Sequence, residues 1–282
     1  MNQSKSYPKV LSIAGSDSSG GAGIQADLKT FSALGVYGAT AITAITAQNT
    51  QGVNSQFALE PQMVYDQIAA VMDDIEPSVV KIGMLSNTAI VEAVAKALHD
   101  YKPSFIILDP VIVSSTGHRL LSIEAQETIK EKLIPIADLL TPNIPEMKAL
   151  TDSSLSSLEE KKEAAQQLFN LGAKAILLKG GHEEGEMKTD VLFVSQQSTD
   201  NGQQTLSMFT SETVVTNNTH GTGCTLSSAI AAFIARGLSL EDAISEAKNY
   251  VTEAIRAGAD VNIGNGIGPV NHAFNPQKMI VL

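Results

Sequence analysis

The chain has 282 residues, 43% of them hydrophobic and 17% charged, enough apolar content for a large core and too much for a disordered chain. A formal net charge of −11 excludes a broad basic face for duplex nucleic acid, and 5% aromatics without tryptophan leave little stacking surface for single strands. One cysteine, Cys224, excludes an intrachain disulfide framework or a multi-cysteine zinc site and points to a reducing, cytoplasmic compartment.

The first segment, residues 1–8, is polar and is expected to be flexible. It lacks the apolar stretch of a secretory signal, and no run of about 18 apolar residues follows, so neither export nor a membrane span is expected. Short β-branched runs then alternate with helical patterns, which predicts an α/β fold of βα units around a mainly parallel sheet. Strands are expected at Val10–Ala14, Ala39–Ala47, Val79–Ile82, Phe105–Asp109, Asp138–Leu140 and Ala175–Lys179. Helices are expected at Gly23–Leu34, Asn87–Leu98 and Leu158–Leu171, where apolar residues recur at helical spacing. Beyond Lys179 the pattern predicts an antiparallel hairpin, Asp190–Ser195 with Gln204–Thr210 around a turn at Ser198–Gly202, then helices Thr222–Ala235 and Leu240–Ala257. Without a repeat, low-complexity tract or composition step, residues 1–282 are read as a single domain.

Four segments carry chemistry. The stretch from Gly15 to Gly23 holds four glycines in nine residues, so its backbone can approach a ligand closely. It fits neither a Walker A loop nor a dinucleotide fingerprint, and a sharp strand-to-helix turn is the plainer alternative. Gly221-Thr222-Gly223-Cys224 opens an apolar helix, where free N–H groups and the helix dipole can cradle phosphate or an oxyanion. Cys224 sits in that first turn, where the dipole is expected to lower its pKa; a small buried hydrophobe is the other possibility. His220 is read as a structural hydrogen-bonding residue. Asn143 and Glu146, three apart, can turn an amide and a carboxylate toward one pocket, although Pro145 with Glu146 is also ordinary helix initiation. Lys179 ends a buried strand before Gly180-Gly181-His182, where a cation would neutralise phosphate, unless it is a solvated surface lysine. His99, His118 and His272 have no metal-ligand spacing.

Together with Lys81-Ile82-Gly83-Met84-Leu85, Asp109-Pro110-Val111 and the tail Gly264–Val270, these motifs resemble, in order and over nearly the whole chain, the hydroxymethylpyrimidine/phosphomethylpyrimidine kinases of the ribokinase superfamily. The resemblance implies a mostly parallel sheet flanked by helices on both faces, with substrate and ATP meeting at the carboxyl ends of the strands. It also implies phosphorylation of 4-amino-5-hydroxymethyl-2-methylpyrimidine and then of its monophosphate, in thiamine biosynthesis. Carried over by position, Gly15, Asp27, Thr46, Gln48, Met84 and Val111 would line the pyrimidine pocket. Gly221, Thr222, Gly223 and Cys224 would form the anion hole, Lys179 would contact transferred phosphate, Asn143 would sit near the ATP phosphates, and Asp109 and Glu146 would organise Mg²⁺ through water. Many relatives in the superfamily have an aspartate where this chain has Cys224, which weakens a strong general-base role. The expected partners are the small pyrimidine and ATP, within a homodimer. The rival reading is pyridoxal kinase, against which Thr46–Val53 speaks because cysteine-type pyridoxal kinases tend to carry a Met-Asp-Pro-like stretch there. A non-catalytic sensor would not need Lys179, Glu146 and Cys224 together.

Overall fold

The computed structural model describes residues 5–112, 121–181, 185–195 and 205–282. His118, His182 and the expected turn at Ser198–Gly202 lie outside the described residues, as do residues 1–4 of the N-terminal segment and Gln204. Within that segment, Ser6 exchanges backbone hydrogen bonds with Leu282, and Pro8 is buried.

Nine strands of the described residues form one sheet: β1 (Lys9–Asp17), β2 (Tyr37–Asn49), β3 (Gly52–Ala58), β4 (Val79–Ile82), β5 (Phe105–Leu108), β6 (Leu139–Leu140), β7 (Ala175–Leu178), β8 (Met187–Val194) and β9 (Thr205–Glu212). Their order is β3-β2-β1-β4-β5-β6-β7-β8-β9. The six strands from β2 to β7 are parallel, and antiparallel β3 and the β8–β9 hairpin extend the two edges. The helices are α1 (Gly23–Ala33), α2 (Pro61–Asp74), α3 (Thr88–Tyr101), α4 (Ile123–Lys132), α5 (Ile144–Thr151), α6 (Leu158–Asn170), α7 (Thr222–Ala235) and α8 (Leu240–Gly258).

The central strands are mostly apolar because they are covered on both faces, Ser12 of β1 and Lys81 of β4 being buried polar exceptions. Alternation splits them between two cores: Leu11, Val80, Leu108, Leu140 and Leu178 pack with α2 to α6, whereas Val10, Val79, Ile107, Leu139 and Leu177 pack with α1, α7 and α8. The α/β architecture is the expected one. Strand β3 and helices α2, α4 and α5 were not among the expected elements, and β1 and β2 run several residues further than expected. Strand β1 extends because it continues past a register shift at Gly15, which carries Ser16 and Asp17 into pairing with Ile45 and Thr46.

The parallel strands place Gly83, Asp109, Thr141 and Lys179 at or just beyond their carboxyl ends, all along one rim of the sheet. In open α/β sheets that rim is where ligands bind.

Candidate active site

The rim is joined to the first turn of α7. The Lys179 ammonium lies 2.8 Å from Asp109 Oδ1 and 3.7 Å from Glu146 Oε2, and a Cβ added to Gly223 would stand 3.4 Å from the same nitrogen. Burial alone would lower the lysine pKa, but Asp109 and then Glu146 hold it above its usual range. Thr141 donates to Asp109 Oδ1 at 3.0 Å and Ser227 to Oδ2 at 3.1 Å, so this carboxylate is fully engaged; Lys179 and Lys81 overcome its burial and keep its pKa low. Glu146 is pushed up to about 7 by burial, against the opposing pull of Lys179. It accepts the Asn143 N–H at 2.7 Å while Asn143 Oδ1 accepts the Glu146 N–H at 2.8 Å. This reciprocal pair opens α5, so the helix-initiation reading of these two residues holds.

Cys224, partly exposed, lies in the first turn of α7, as expected, but its pKa does not fall. Burial pushes the thiol up to about 11; Lys81 pulls it down, while Asp27 and Asp109 add to the rise. The helix dipole is outweighed by lost hydration and by two nearby carboxylates. The thiol is protonated near neutrality.

Below this layer, Ser12 and Lys81 stand opposite each other on β1 and β4 and converge on Asp27 of α1. Lys81 Nζ lies 2.9 Å from Asp27, Ser12 donates at 2.5 Å, and Ser228 of α7 donates at 2.6 Å. Asp27 has no exposed surface, so its observed role is to tie α1, α7 and the sheet together. Sequence reading did not assign roles to Lys81, Ser12, Thr141, Ser227 or Ser228. Their signal was polarity inside buried runs: Lys81 sits between Val80 and Ile82 and is fully buried.

A second group forms beside the first. Gly15, at the β1 register shift, allows Met84 to lie over the strand: a Cβ there would be 2.4 Å from Met84 Cε. Thr46 donates to Ser16 O at 2.9 Å, and its hydroxyl is 3.1 Å from Gln48 Oε1. Ser18 Oγ clamps the Gln48 backbone, donating to its carbonyl at 2.7 Å and accepting its N–H at 2.8 Å. Val111 N–H donates to Asp109 O at 2.8 Å, placing Val111 just past the end of β5.

The glycine-rich turn and the turn that opens α7 pack directly together. Gly221 has φ 80°, and a Cβ on it would lie 1.8 Å from Gly21 O. Asp17 accepts N–H groups of Ser19, Gly21 and Ala22, the Ser19 hydroxyl, and His220 Nε2 at 2.8 Å. Burial alone would raise its pKa, but His220 and the loop donors hold it well below the carboxylate range. The tail closes the group: Ile267 N–H donates to Thr50 O at 2.8 Å, and His220 N–H to Gly268 O at 2.9 Å. Thr222 caps its own turn by donating to Thr219 O at 2.8 Å. Thus Asp109, Glu146, Lys179, Gly223 and Cys224 form one cluster, Gly15, Thr46, Gln48 and Met84 another, and Asp27 lies beneath the first.

The family model described as phosphomethylpyrimidine kinase matches residues 17–271. The chain is 46% identical to the hydroxymethylpyrimidine/phosphomethylpyrimidine kinase of Escherichia coli over 93% of this chain and 96% of that protein. It is 45% identical to the thiamine biosynthesis bifunctional protein ThiED of Geobacter sulfurreducens, covering 99% of this chain but 55% of that protein. Among solved structures, it resembles phosphomethylpyrimidine kinase from Clostridium difficile (43% identity, TM-score 0.76, 88% of this chain and 99% of that chain). It also resembles an ADP complex of Bacillus subtilis pyridoxal kinase (36% identity, TM-score 0.85, 95% and 98%). Backbone similarity extends to both activities, whereas the higher identities lie with the pyrimidine kinases. The fold is ribokinase-like, and with the family match covering most of its length, the chain belongs to the phosphomethylpyrimidine kinase family.

Proposed function

We propose that the protein is an ATP-dependent kinase that phosphorylates the hydroxymethyl oxygen of 4-amino-5-hydroxymethyl-2-methylpyrimidine and then the monophosphate. The carrying observation is Lys179, fixed by Asp109 and Glu146 and facing Gly223 at the start of α7. A retained cation and the N–H groups of a helix start converge there, the arrangement that a transferring phosphoryl group needs. Gly15, Thr46, Gln48, Met84 and Val111 line the pyrimidine side, Gly221, Thr222, Gly223 and Cys224 cradle the phosphoryl group, and Asn143 lies on the ATP side. Asp27 supports the pocket from below.

In the first step the substrate hydroxyl attacks the γ-phosphorus, the bond to the ADP oxygen breaks, and the hydroxyl proton passes late to an oxygen of the transferred phosphoryl group; in the second a phosphate oxygen of the monophosphate attacks in the same way with no proton to lose, and in both Lys179 with the α7 N–H groups stabilises the charge on the phosphoryl oxygens. Cys224, a protonated thiol, orients the hydroxyl. The loose character of such transition states makes early proton removal unnecessary. The donor set fits Mg²⁺ held through water rather than directly. Asp109 is occupied by Thr141, Ser227 and Lys179, and Glu146, buried with a raised pKa, gains from nearby positive charge. Bound with ATP, Mg²⁺ supplies charge neutralisation.

We further read the chain as a single cytoplasmic domain, and no helix of the described residues is long and apolar enough to cross a membrane. A homodimer is supported by Ile45 and Phe57, cross-strand neighbours on β2 and β3 that are 50% and 69% exposed next to the sheet edge. Light scattering tests it: a monomer would remove this assignment.

ATP consumption with the pyrimidine alcohol, its monophosphate and pyridoxine side by side tests the function. Turnover of both pyrimidines is expected. Pyridoxine as the sole substrate would favour the second reading, pyridoxal kinase, which the 36% identity to the Bacillus enzyme keeps in view.

A further inference from the structure

Gln48 stands between two groups that impose contradictory demands on its amide. On one side, His220 Nε2 is 3.4 Å from Gln48 Nε2 and 2.8 Å from Asp17 Oδ2. Asp17 is ionised and can only accept, so His220 Nε2 carries a hydrogen and donates it to Asp17. A nitrogen that donates cannot also receive an N–H from Gln48. On the other side, Thr46 has one hydroxyl hydrogen, with Ser16 O at 2.9 Å and Gln48 Oε1 at 3.1 Å as competing acceptors.

Turning the amide by half a rotation removes both conflicts. Its oxygen then faces the His220 N–H, its nitrogen donates to Thr46 Oγ1, and Thr46 spends its hydrogen on Ser16 O. The oxygen and nitrogen of an amide are told apart by such a network. Asp17 cannot rotate away, because Ser19, Gly21 and Ala22 also donate to it, and Ser18 fixes the Gln48 backbone from the same loop.

We infer that Asp17 and His220 are positioning residues that fix the Gln48 amide, oxygen toward His220 and nitrogen toward Thr46, and so set the substrate edge the pocket accepts. The amide then offers one N–H and one oxygen lone pair, which complement a ring nitrogen beside an exocyclic amine. A 4-oxo ring, with N–H and carbonyl in those places, meets donor with donor and acceptor with acceptor. The inference rests on the proposed role of Gln48 at the pyrimidine edge.

The test compares the parent with His220→Phe and His220→Gln, using ATP with the 4-amino alcohol and its 4-oxo counterpart. Gln can donate to Asp17 and Gln48 as His does, whereas Phe cannot. For His220→Phe the expected result is a rise of at least about tenfold in KM for the amino substrate and a smaller amino-to-oxo preference, with kcat and the KM for ATP near the parent values. His220→Gln is expected to stay within about threefold of the parent. An unchanged preference in His220→Phe, an equal rise in its KM for ATP, or failure of His220→Gln to restore KM overturns the inference. Nitrogen-15 NMR of the parent decides the geometry separately: a hydrogen on His220 Nε2 is expected, and a bare Nε2 overturns it, even if His220→Phe does not fold. A parent that ignores both pyrimidines sinks the kinase reading instead, while the NMR result still decides the amide orientation.

Discussion

Gly221 rests so closely on Gly21 that a Cβ on it would stand 1.8 Å from the Gly21 carbonyl oxygen. The two segments are joined by backbone shape, with Gly221 in the left-handed region at φ 80°. Gly221→Ala is therefore expected to lose at least about 3 kcal/mol of stability and most activity, since steric overlap adds to backbone strain. Urea unfolding with activity assays checks this, and parent-like values for both would show that the contact is soft.

From its proposed place where phosphoryl charge develops, Lys179→Met is expected to lower kcat by about 10²- to 10³-fold with the pyrimidine KM nearly unchanged. It also leaves Asp109 without its main partner, which costs about 3 to 5 kcal/mol. Adding Asp109→Asn should recover part of the stability and none of the rate. If stability and rate return together, Lys179 is structural.

The raised pKa of Cys224, about 11, and its proposed orienting role make three outcomes testable. Alkylation by iodoacetamide should be slow at neutral pH and continue to rise with pH beyond the range of an ordinary thiol. Cys224→Ser should keep measurable kcat, since a hydroxyl orients the substrate equally well. Cys224→Asp should serve the alcohol better than the anionic monophosphate, which its charge repels. Complete loss in the serine variant, with full activity of the aspartate variant on both substrates, would establish proton abstraction as the main role.

His272 is buried beside Thr225, 2.9 Å from its hydroxyl, and burial, then Lys29 and His220, lower its pKa from 6.5 to about 4. A lowered folded-state value means that the unfolded chain takes up the proton first. Stability is thus complete above pH 6.5 and falls as the pH drops toward 4, by about 3 kcal/mol for this group. His272→Gln should be less stable at neutral pH and should lack this part of the acid loss. Denaturant unfolding across that range measures it, and parallel pH curves for parent and variant would reject the assignment.

The architecture was legible where a single rule governed a segment. Val79–Ile82 is apolar except for Lys81 and lies between Pro77-Ser78 and Gly83, and it forms the expected strand without a residue's error. Helix α2 was missed because its buried face comprises only Val64 and Ile68, too thin a stripe to stand out among polar residues. Asn143 and Glu146 looked equally suited to a pocket or a helix start, since spacing cannot say whether a carboxylate points outward or back to its own backbone. Cys224 misled on pKa because the helix dipole is local and visible in sequence, whereas burial and then Asp27 and Asp109 act on the thiol only through the fold. Asp17 and His220 are 203 residues apart, and no local pattern announces such a pair.

That span also bears on how the protein is made. Gly266 donates to the Thr50 hydroxyl across 216 positions, and His220 is held by Gly268, so the proposed pyrimidine side is assembled from segments far apart in the chain. Contacts this distant in sequence form late, after the costs of loop closure have been met. During synthesis from the N-terminus the sheet from β1 to β7 can begin to gather, but the pocket remains incomplete until the tail has left the ribosome. Ligand recognition in a nascent chain should consequently appear in one step once residues 266–268 have emerged, and not grow in proportion to length.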